Sequence, residues 1–368
     1  MIGSFSLGAP QLEGRINPAL EAIEERLLQV VRSADETINP PTSHLAAAGG
    51  KRMRPILTLL TAQLGDPALA VGEKVRDAGV AVELTHIATL YHDDVMDEAP
   101  LRRGAPSAQK VWGNSAAILT GDVLVARASQ LVVALGSQAM HSHAKTFERL
   151  CMGQLRETLP RPADTDPVEH YLQILADKTG SLIAISARYG AMLTQAGART
   201  EQIVEEFGEH LGVAFQLADD VIDLTSDSQI TGKTPGTDLR EGVDTMPVLL
   251  LRQALAAGEL DAAGQSILST LSSASLSDDA VLADVVGRLR LHPVLARTRA
   301  MAAQWADDAV AALDGLEEAV LEGTTARLDA EGVTGVDRRA ALADASERVA
   351  QVHSAMEELA RLLVNRAA

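Results

Sequence analysis

Residues 83–104 read ELTHIATLYHDDVMDEAPLRRG, from Glu83 to Gly104, and residues 215–227 read FQLADDVIDLTSD, from Phe215 to Asp227. In each, an apolar run with helical spacing leads into DDxxD: Asp93-Asp94-Val95-Met96-Asp97, and Asp219-Asp220-Val221-Ile222-Asp223. On a helix, positions i and i+4 share a face, so Asp93 aligns with Asp97 and Asp219 with Asp223. Like charges roughly 6 Å apart repel by about 3 kcal/mol at an effective dielectric near 20. Neither segment carries a Lys or Arg at i±4 to relieve that repulsion. A divalent cation converts it into attraction, and carboxylate oxygen is the hard donor that Mg2+ prefers, often shared with substrate phosphates. One DDxxD alone is equally a solvated helix end; two copies, each embedded in apolar sequence, argue for metal. An EF-hand is disfavoured because its Asp-x-Asp-x-Asp-Gly spacing is missing.

The surrounding chain reads as all-α. Aromatics are 2% of 368 residues, alternating strand patterns are scarce, and apolar residues recur at three and four, as in Ile56, Leu59, Leu60 and Leu64. Proline clusters at Pro40–Pro41, Pro100 and Pro106, and Pro160–Pro167 punctuate long proline-free stretches. Loops are predicted at Pro160–Pro167, Thr225–Met246, Ser272–Asp278 and Thr324–Val336. No solenoid-type repeat and no flexible linker is evident, so a single domain over 1–368 is expected. Hydrophobic residues at 46% supply material for a large core, and a mean hydropathy of +0.06 excludes bulk disorder. The most apolar stretch, Ala116–Leu135, carries Asp122 and Arg127, so a membrane-spanning helix is not expected. No secretory signal pattern opens the chain. Cys151 is the single cysteine, which excludes an internal disulfide and fits a reducing, cytoplasmic setting. A net charge of −18 argues against nucleic-acid binding and leaves an anionic small molecule as a substrate only where local cations or metal ions overcome the field.

Those cations are sparse in one respect. The chain has only six lysines, and three of them fall in short motifs: Lys51, Lys178 and Lys233. Gly49-Gly50-Lys51-Arg52-Met53-Arg54-Pro55 opens an apolar helix; its glycines allow close backbone approach, and Lys51 and Arg54, three apart, can converge on one anion. Taken alone it is equally a solvated basic turn. Arg102 and Arg103 follow the first acidic motif, where they form either a surface ion-pair network or, with metal present, half of a diphosphate clamp. Lys178-Thr179-Gly180 and Gly232-Lys233-Thr234-Pro235-Gly236 are two further anion-binding candidates. His86, seven before Asp93, and Gln216, three before Asp219, share the acidic faces; a satisfied core side chain is the competing reading for both. No Ser/His/Asp arrangement for nucleophilic catalysis is present in the pattern.

Taken together, GGKRMRP, ELTHIATLYHDDVMDEAPLRRG, GDVLVARA, GQLRE, KTGSLI, FQLADDVIDLTSD and GKTPGTDLREG resemble the trans-isoprenyl diphosphate synthase, or polyprenyl synthetase, family, of the long-chain all-trans type. The resemblance runs from residue 49 to about 250; beyond it the chain matches only as generic helices, with Glu322–Arg338 looking like extra sequence. It implies an isoprenoid synthase fold, helices around a large central cavity, and condensation of isopentenyl diphosphate onto an allylic diphosphate such as farnesyl or geranylgeranyl diphosphate. It implies Mg2+ as cofactor, three ions once substrate is bound, held by Asp93, Asp97, Asp219 and Asp223, with Asp94 and Asp220 in support and all six aspartates counted as catalytic. Arg102, Lys178, Thr179, Gln216 and Lys233 would hold the allylic diphosphate, with Lys178 also serving catalysis. Lys51, Arg54, His86 and Arg103 would bind isopentenyl diphosphate. Ala88 and Thr89, five and four positions before the first Asp, are small where a bulky residue would stop elongation early, implying a long product. A homodimer and at most peripheral membrane contact for product release are implied, with quinone side chains as the use. One departure stands out: Val243 occupies a position where the family often has Lys. A shorter-chain geranylgeranyl diphosphate synthase, a terpene cyclase, a non-catalytic subunit of a heteromeric synthase and an acidic helical scaffold remain as alternatives.

Overall fold

The computed structural model describes residues 9–225 and 235–365. Among these, helices dominate and the single sheet is a two-residue hairpin. The helices are α1 (Pro10–Val30), α2 (Asn39–Ala47), α3 (Met53–Thr61), α4 (Glu73–Met96), α5 (Ala108–Trp112), α6 (Asn114–Leu135), α7 (Ser137–Thr158), α8 (Pro167–Leu175), α9 (Ser181–Leu193) and α10 (Ala198–Thr225). Beyond the undescribed residues come α11 (Thr237–Arg240), α12 (Met246–Ala257), α13 (Ala262–Ser273), α14 (Asp279–Leu291), α15 (Pro293–Ala312), α16 (Leu316–Ala330) and α17 (Gly335–Asn365). A 3₁₀ turn, Ala62–Leu64, ends α3, and a π turn, Ala176–Gly180, lies between α8 and α9.

Local chemistry places the breaks. Asp166 caps α8, its carboxylate accepting from the Val168 and Glu169 amides at 2.9 and 3.0 Å, and Pro167 fills the first helical position. Asp261 and Asp278 cap α13 and α14 in the same way. The loop expected over Thr324–Val336 is corrected. α16 runs to Ala330 with Thr324 buried, and only residues 331–334 separate it from α17. The Ala- and Leu-rich composition carries the helix past the threonines, and Gly332, at φ 71°, marks the actual turn.

Two compact units are distinguished. The first comprises Met1–Glu148, Leu182–Gly208 and Ala312–Glu358. Its centre is α4, which buries Val75, Ala78, Val82, Leu84, Ile87 and Tyr91 around most of its circumference, as a helix surrounded by others must. α3 and α9 approach closely because Gly190 has no side chain; a Cβ there would lie 2.2 Å from the Thr58 carbonyl oxygen. Thr58 and Thr61 hydroxyls donate across this contact to the Ser186 and Ala187 carbonyls at 2.9 and 2.7 Å. α6 is the one described helix long and apolar enough to cross a membrane by length and composition. Its Arg127 is used inside the protein, donating to the Val30 and Val31 carbonyls at the end of α1 at 3.0 and 2.8 Å.

The second unit comprises Arg149–Ser181, Glu209–Ala311 and Leu359–Ala368. Its core packs Leu217, Val221 and Leu224 of α10 with Met246 and Leu250 of α12, Leu282, Val285 and Leu289 of α14, and Leu295 of α15.

Candidate active site

The first acidic motif closes α4. The Asp97 amide donates to the Asp93 carbonyl at 2.8 Å, which sets the two carboxylates one turn apart, Asp93 half-buried and Asp97 exposed. Asp94 turns inward and is fully buried. One of its oxygens accepts from Arg102 Nε at 2.6 Å and the other has no hydrogen-bond partner. Burial pushes its carboxyl above the ordinary range and Arg102 partly offsets that shift. Arg102 reaches back because residues 101–106 form a hairpin, Leu101–Arg102 against Ala105–Pro106, whose two turn residues, Arg103 and Gly104, both have positive φ, 54° and 79°. That is the turn whose twist suits a tight hairpin.

A cationic cluster lies in the same unit. Arg52, Arg54, Arg102 and Arg103 all raise the positive potential at His86; burial first, and these charges second, hold the imidazole well below its usual pKa, so it is neutral. Arg52 is tied by Glu24, at 2.6 and 2.7 Å, and by buried Glu83, at 2.8 Å. Arg103 donates to the Leu45 carbonyl at 2.9 Å and to the Gly49 carbonyl. A Cβ on Gly50 would lie 3.0 Å from Arg52 Nη1 and 3.2 Å from the Arg103 guanidinium, so the glycine permits these cations to crowd the loop. Arg54 differs from its neighbours: its Nε is buried without a hydrogen-bond partner. Burial lowers its pKa to about 10, Glu83 opposing and Arg103 reinforcing the shift. A guanidinium held among like charges with an unsatisfied donor fits an anion site. Lys51 is exposed beside it.

The second acidic motif belongs to the other unit, near the end of α10. Asp219, Asp223 and Gln216 are half-buried, while Asp220 is buried. Asp220 accepts from the Tyr171 hydroxyl at 3.1 and 3.0 Å and from the Met246 amide at 3.1 Å. Burial drives its carboxyl well above the usual range, with the Met246 amide opposing. Asp223 accepts from the Thr237 amide at 3.2 Å. Lys178 and Thr179 sit in the π turn, with the Lys178 ammonium 2.5 Å from a Glu157 carboxylate oxygen. Lys233 lies outside the described residues. Val243 is exposed, its amide donating to the Asp238 carbonyl at 2.9 Å. Ala88 is fully buried, and half-buried Thr89 donates to the His86 carbonyl at 2.8 Å.

Each DDxxD therefore splits alike: the outer carboxylates keep solvent exposure and the second Asp is buried. The accessible oxygen pairs fit a hard divalent cation. Among the described residues no three His, Cys, Asp or Glu side chains close on one point. Sequence reasoning passed over Glu83, Arg52 and Tyr171. Glu83 carried a signal, a lone carboxylate in an apolar run three residues before His86; Tyr171 is one of three tyrosines in the chain.

The polyprenyl synthetase family model matches residues 35–276. A nonaprenyl diphosphate synthase of Mycobacterium tuberculosis is 42% identical over 311 residues, covering 84% of this chain and 90% of that protein. A dimethylallyltranstransferase of the same organism is 38% identical over 313 residues, covering 84% and 91%. The crystal structure of a geranylgeranyl pyrophosphate synthase from Corynebacterium glutamicum, complexed with calcium and isoprenyl diphosphate, superposes with a TM-score of 0.78 at 36% identity, covering 99% of this chain and 100% of that one.

Proposed function

The chain belongs to the polyprenyl synthetase family, with the isoprenoid synthase fold and trans-prenyltransferase activity, and on that premise we propose that it condenses isopentenyl diphosphate with farnesyl or geranylgeranyl diphosphate to make a long-chain all-trans polyprenyl diphosphate. The observation that carries this reading is the DDxxD end of α4, with Asp93 and Asp97 accessible to solvent, in the same unit as the cationic cluster around His86.

Asp93, Asp97, Asp219 and Asp223 would hold Mg2+. When bound, Mg2+ stabilises the negative charge that grows on the leaving diphosphate. Asp94 and Asp220 act on the protein side, one fixed by Arg102 and the other by Tyr171 and the Met246 amide. Lys178, Thr179, Gln216, Arg102 and Lys233 hold the allylic diphosphate. As its C–O bond breaks, the electron pair leaves with diphosphate and an allylic cation forms. Lys51, Arg54, His86 and Arg103 hold the isopentenyl diphosphate while its alkene attacks that cation, and the proton then lost passes to the departing diphosphate. His86 suits this site because a neutral imidazole can still donate a hydrogen bond while adding no charge to an already cationic cluster.

The whole chain acts as one polyprenyl synthetase domain, a cytoplasmic homodimer with at most peripheral membrane contact, supplying quinone side chains. Support for a long product comes from small Ala88 and Thr89 and from the mycobacterial relative's name. A geranylgeranyl product is the second reading, favoured by the name of the Corynebacterium structure. The test is incubation of the purified protein with Mg2+, isopentenyl diphosphate and farnesyl diphosphate, followed by chromatography of the dephosphorylated products. Chains of seven to ten isoprene units are expected. Absence of any elongation overturns the assignment, and a product that stops at geranylgeranyl selects the second reading.

A further inference from the structure

A distorted helical turn carries two of the residues assigned to the allylic diphosphate. Ala176–Gly180, the sequence Ala-Asp-Lys-Thr-Gly, is a π turn. Such a turn inserts one residue into the helical register and gathers at functional sites. It rotates the residues within it relative to the flanking α-helices, so it decides which face Lys178 and Thr179 occupy.

Something must hold that turn against relaxation to a regular helix, and the surroundings are built to do so. Asp177, 4% exposed, is the hub. Its Oδ1 accepts from Arg149 Nε at 2.8 Å; its Oδ2 accepts from Gln173 Nε2 at 3.0 Å and from Arg156 Nη1. Arg149 also grips Glu209 with both Nη atoms, at 2.9 and 2.8 Å. Two guanidiniums balance two carboxylates, so the cluster carries no net charge. The flanking helices come close because glycines allow it. A Cβ on Gly153 would lie 2.9 Å from the Lys178 amide nitrogen, and one on Gly180 would lie 3.1 Å from the Glu209 carbonyl oxygen. Partly buried ion pairs are a weak source of stability, but directional bonds from a rigid guanidinium fork fix geometry well.

We propose that Asp177, braced by Arg149, Arg156 and Glu209, is a positioning residue: it holds the π turn and so presents Lys178 and Thr179 to the allylic diphosphate. The inference rests on the assignment of Lys178 given above. Asp177 does not touch substrate. Its contribution passes through Lys178 and Thr179, where a misplacement of about 1 Å can cost about 10²-fold in rate.

A double-mutant cycle read in kcat and KM, with Mg2+, farnesyl diphosphate and isopentenyl diphosphate, tests this. Asp177→Asn keeps the shape and removes the charge. It is expected to lower kcat about tenfold, to leave KM for isopentenyl diphosphate unchanged, and to have a clearly smaller effect in a Lys178→Ala background, where only Thr179 is left to be misplaced. Glu209→Gln, on a half-exposed side chain that tolerates the change, loosens the brace at one remove and should show a smaller loss of the same kind. Should Asp177→Asn not fold, the cycle with Glu209→Gln decides. Unchanged kcat in the folded variants, or an equal fractional loss with and without Lys178, overturns the proposal, the latter because a merely structural role acts in both backgrounds alike. Wild-type turnover in Lys178→Ala alone refutes the assignment of Lys178 itself and the proposal with it, and that result is read from the single variant.

Discussion

Arg348 Nε donates to the backbone carbonyl of Gln63 at 3.1 Å, across 285 residues of chain. Its Nη2 reaches the Gly65 carbonyl at 3.4 Å, and Arg327 pairs with Asp66 at 3.1 Å. The two C-terminal helices, α16 and α17, thus hold the turn that ends α3, the helix opened by the Gly-Gly-Lys-Arg loop. Arg348→Ala leaves two buried carbonyls without a donor and is expected to cost about 2 kcal/mol in urea unfolding. Arg348→Lys should recover only part, because an ammonium lacks the planar fork.

Asp93→Asn and Asp219→Asn are each expected to cut turnover by about 10³-fold or more at saturating Mg2+, since each removes a metal oxygen needed where charge develops on the leaving group. Without Mg2+ the melting temperature should hold or rise, because a like-charge repulsion is relieved. Turnover near wild type in both variants contradicts the metal assignment.

The two diphosphate sites should separate kinetically. Arg54→Ala is expected to raise KM for isopentenyl diphosphate with kcat little changed, because a ground-state contact is lost. Lys178→Ala should lower kcat instead, since its charge matters most as the allylic C–O bond breaks. Matching kinetic profiles for the two variants would refute this division of roles.

Ala88→Phe should shorten the product sharply while consumption of the first isopentenyl unit continues. Ala88 is fully buried, so the larger ring should also cost about 1–3 kcal/mol through overpacking. Thr89→Phe, at a half-buried position, should shorten the product with a smaller loss of stability. Thin-layer chromatography of dephosphorylated products checks both, and an unchanged product distribution shows that the chain does not grow along this face.

Stability should fall on mild acidification. His143, 3% exposed and with Nδ1 lacking a partner, has its pKa lowered by burial, as does His86. Both imidazoles take up a proton less readily in the folded protein than in the unfolded chain, where histidine titrates near its ordinary value of about 6.5. The unfolded state then binds more protons, so stability is full above that pH and is lost as pH drops through it. His143→Gln should flatten the pH dependence of the melting temperature between 7 and about 5.5, while His86 keeps the remainder. A slope identical to wild type would show that His143 makes no contribution.

The candidate site's acidic motifs were legible in the sequence because their signals are local. Asp93 and Asp97, like Asp219 and Asp223, lie one helical turn apart, and a repeated like-charge pair in apolar sequence calls for a cation whatever the rest of the chain does. The helical class was legible for the same reason: three-and-four spacing and proline placement act within a few residues. The loop assigned to Thr324–Val336 was misplaced because propensity along α16 outweighed its threonines. Only the tertiary structure decided how labour divides within each motif. Asp94 and Asp220 have the same chemistry as their neighbours, and they are buried and hydrogen-bonded because Arg102 comes back through a hairpin and Tyr171 arrives from another helix. It also decided that Arg52 is consumed by Glu24 and Glu83 while Arg54 keeps an unsatisfied donor, and that Asp177 meets two arginines drawn from a separate helix. Those outcomes depend on burial and on partners from eight to 49 residues away, and desolvation has no local signature in a sequence.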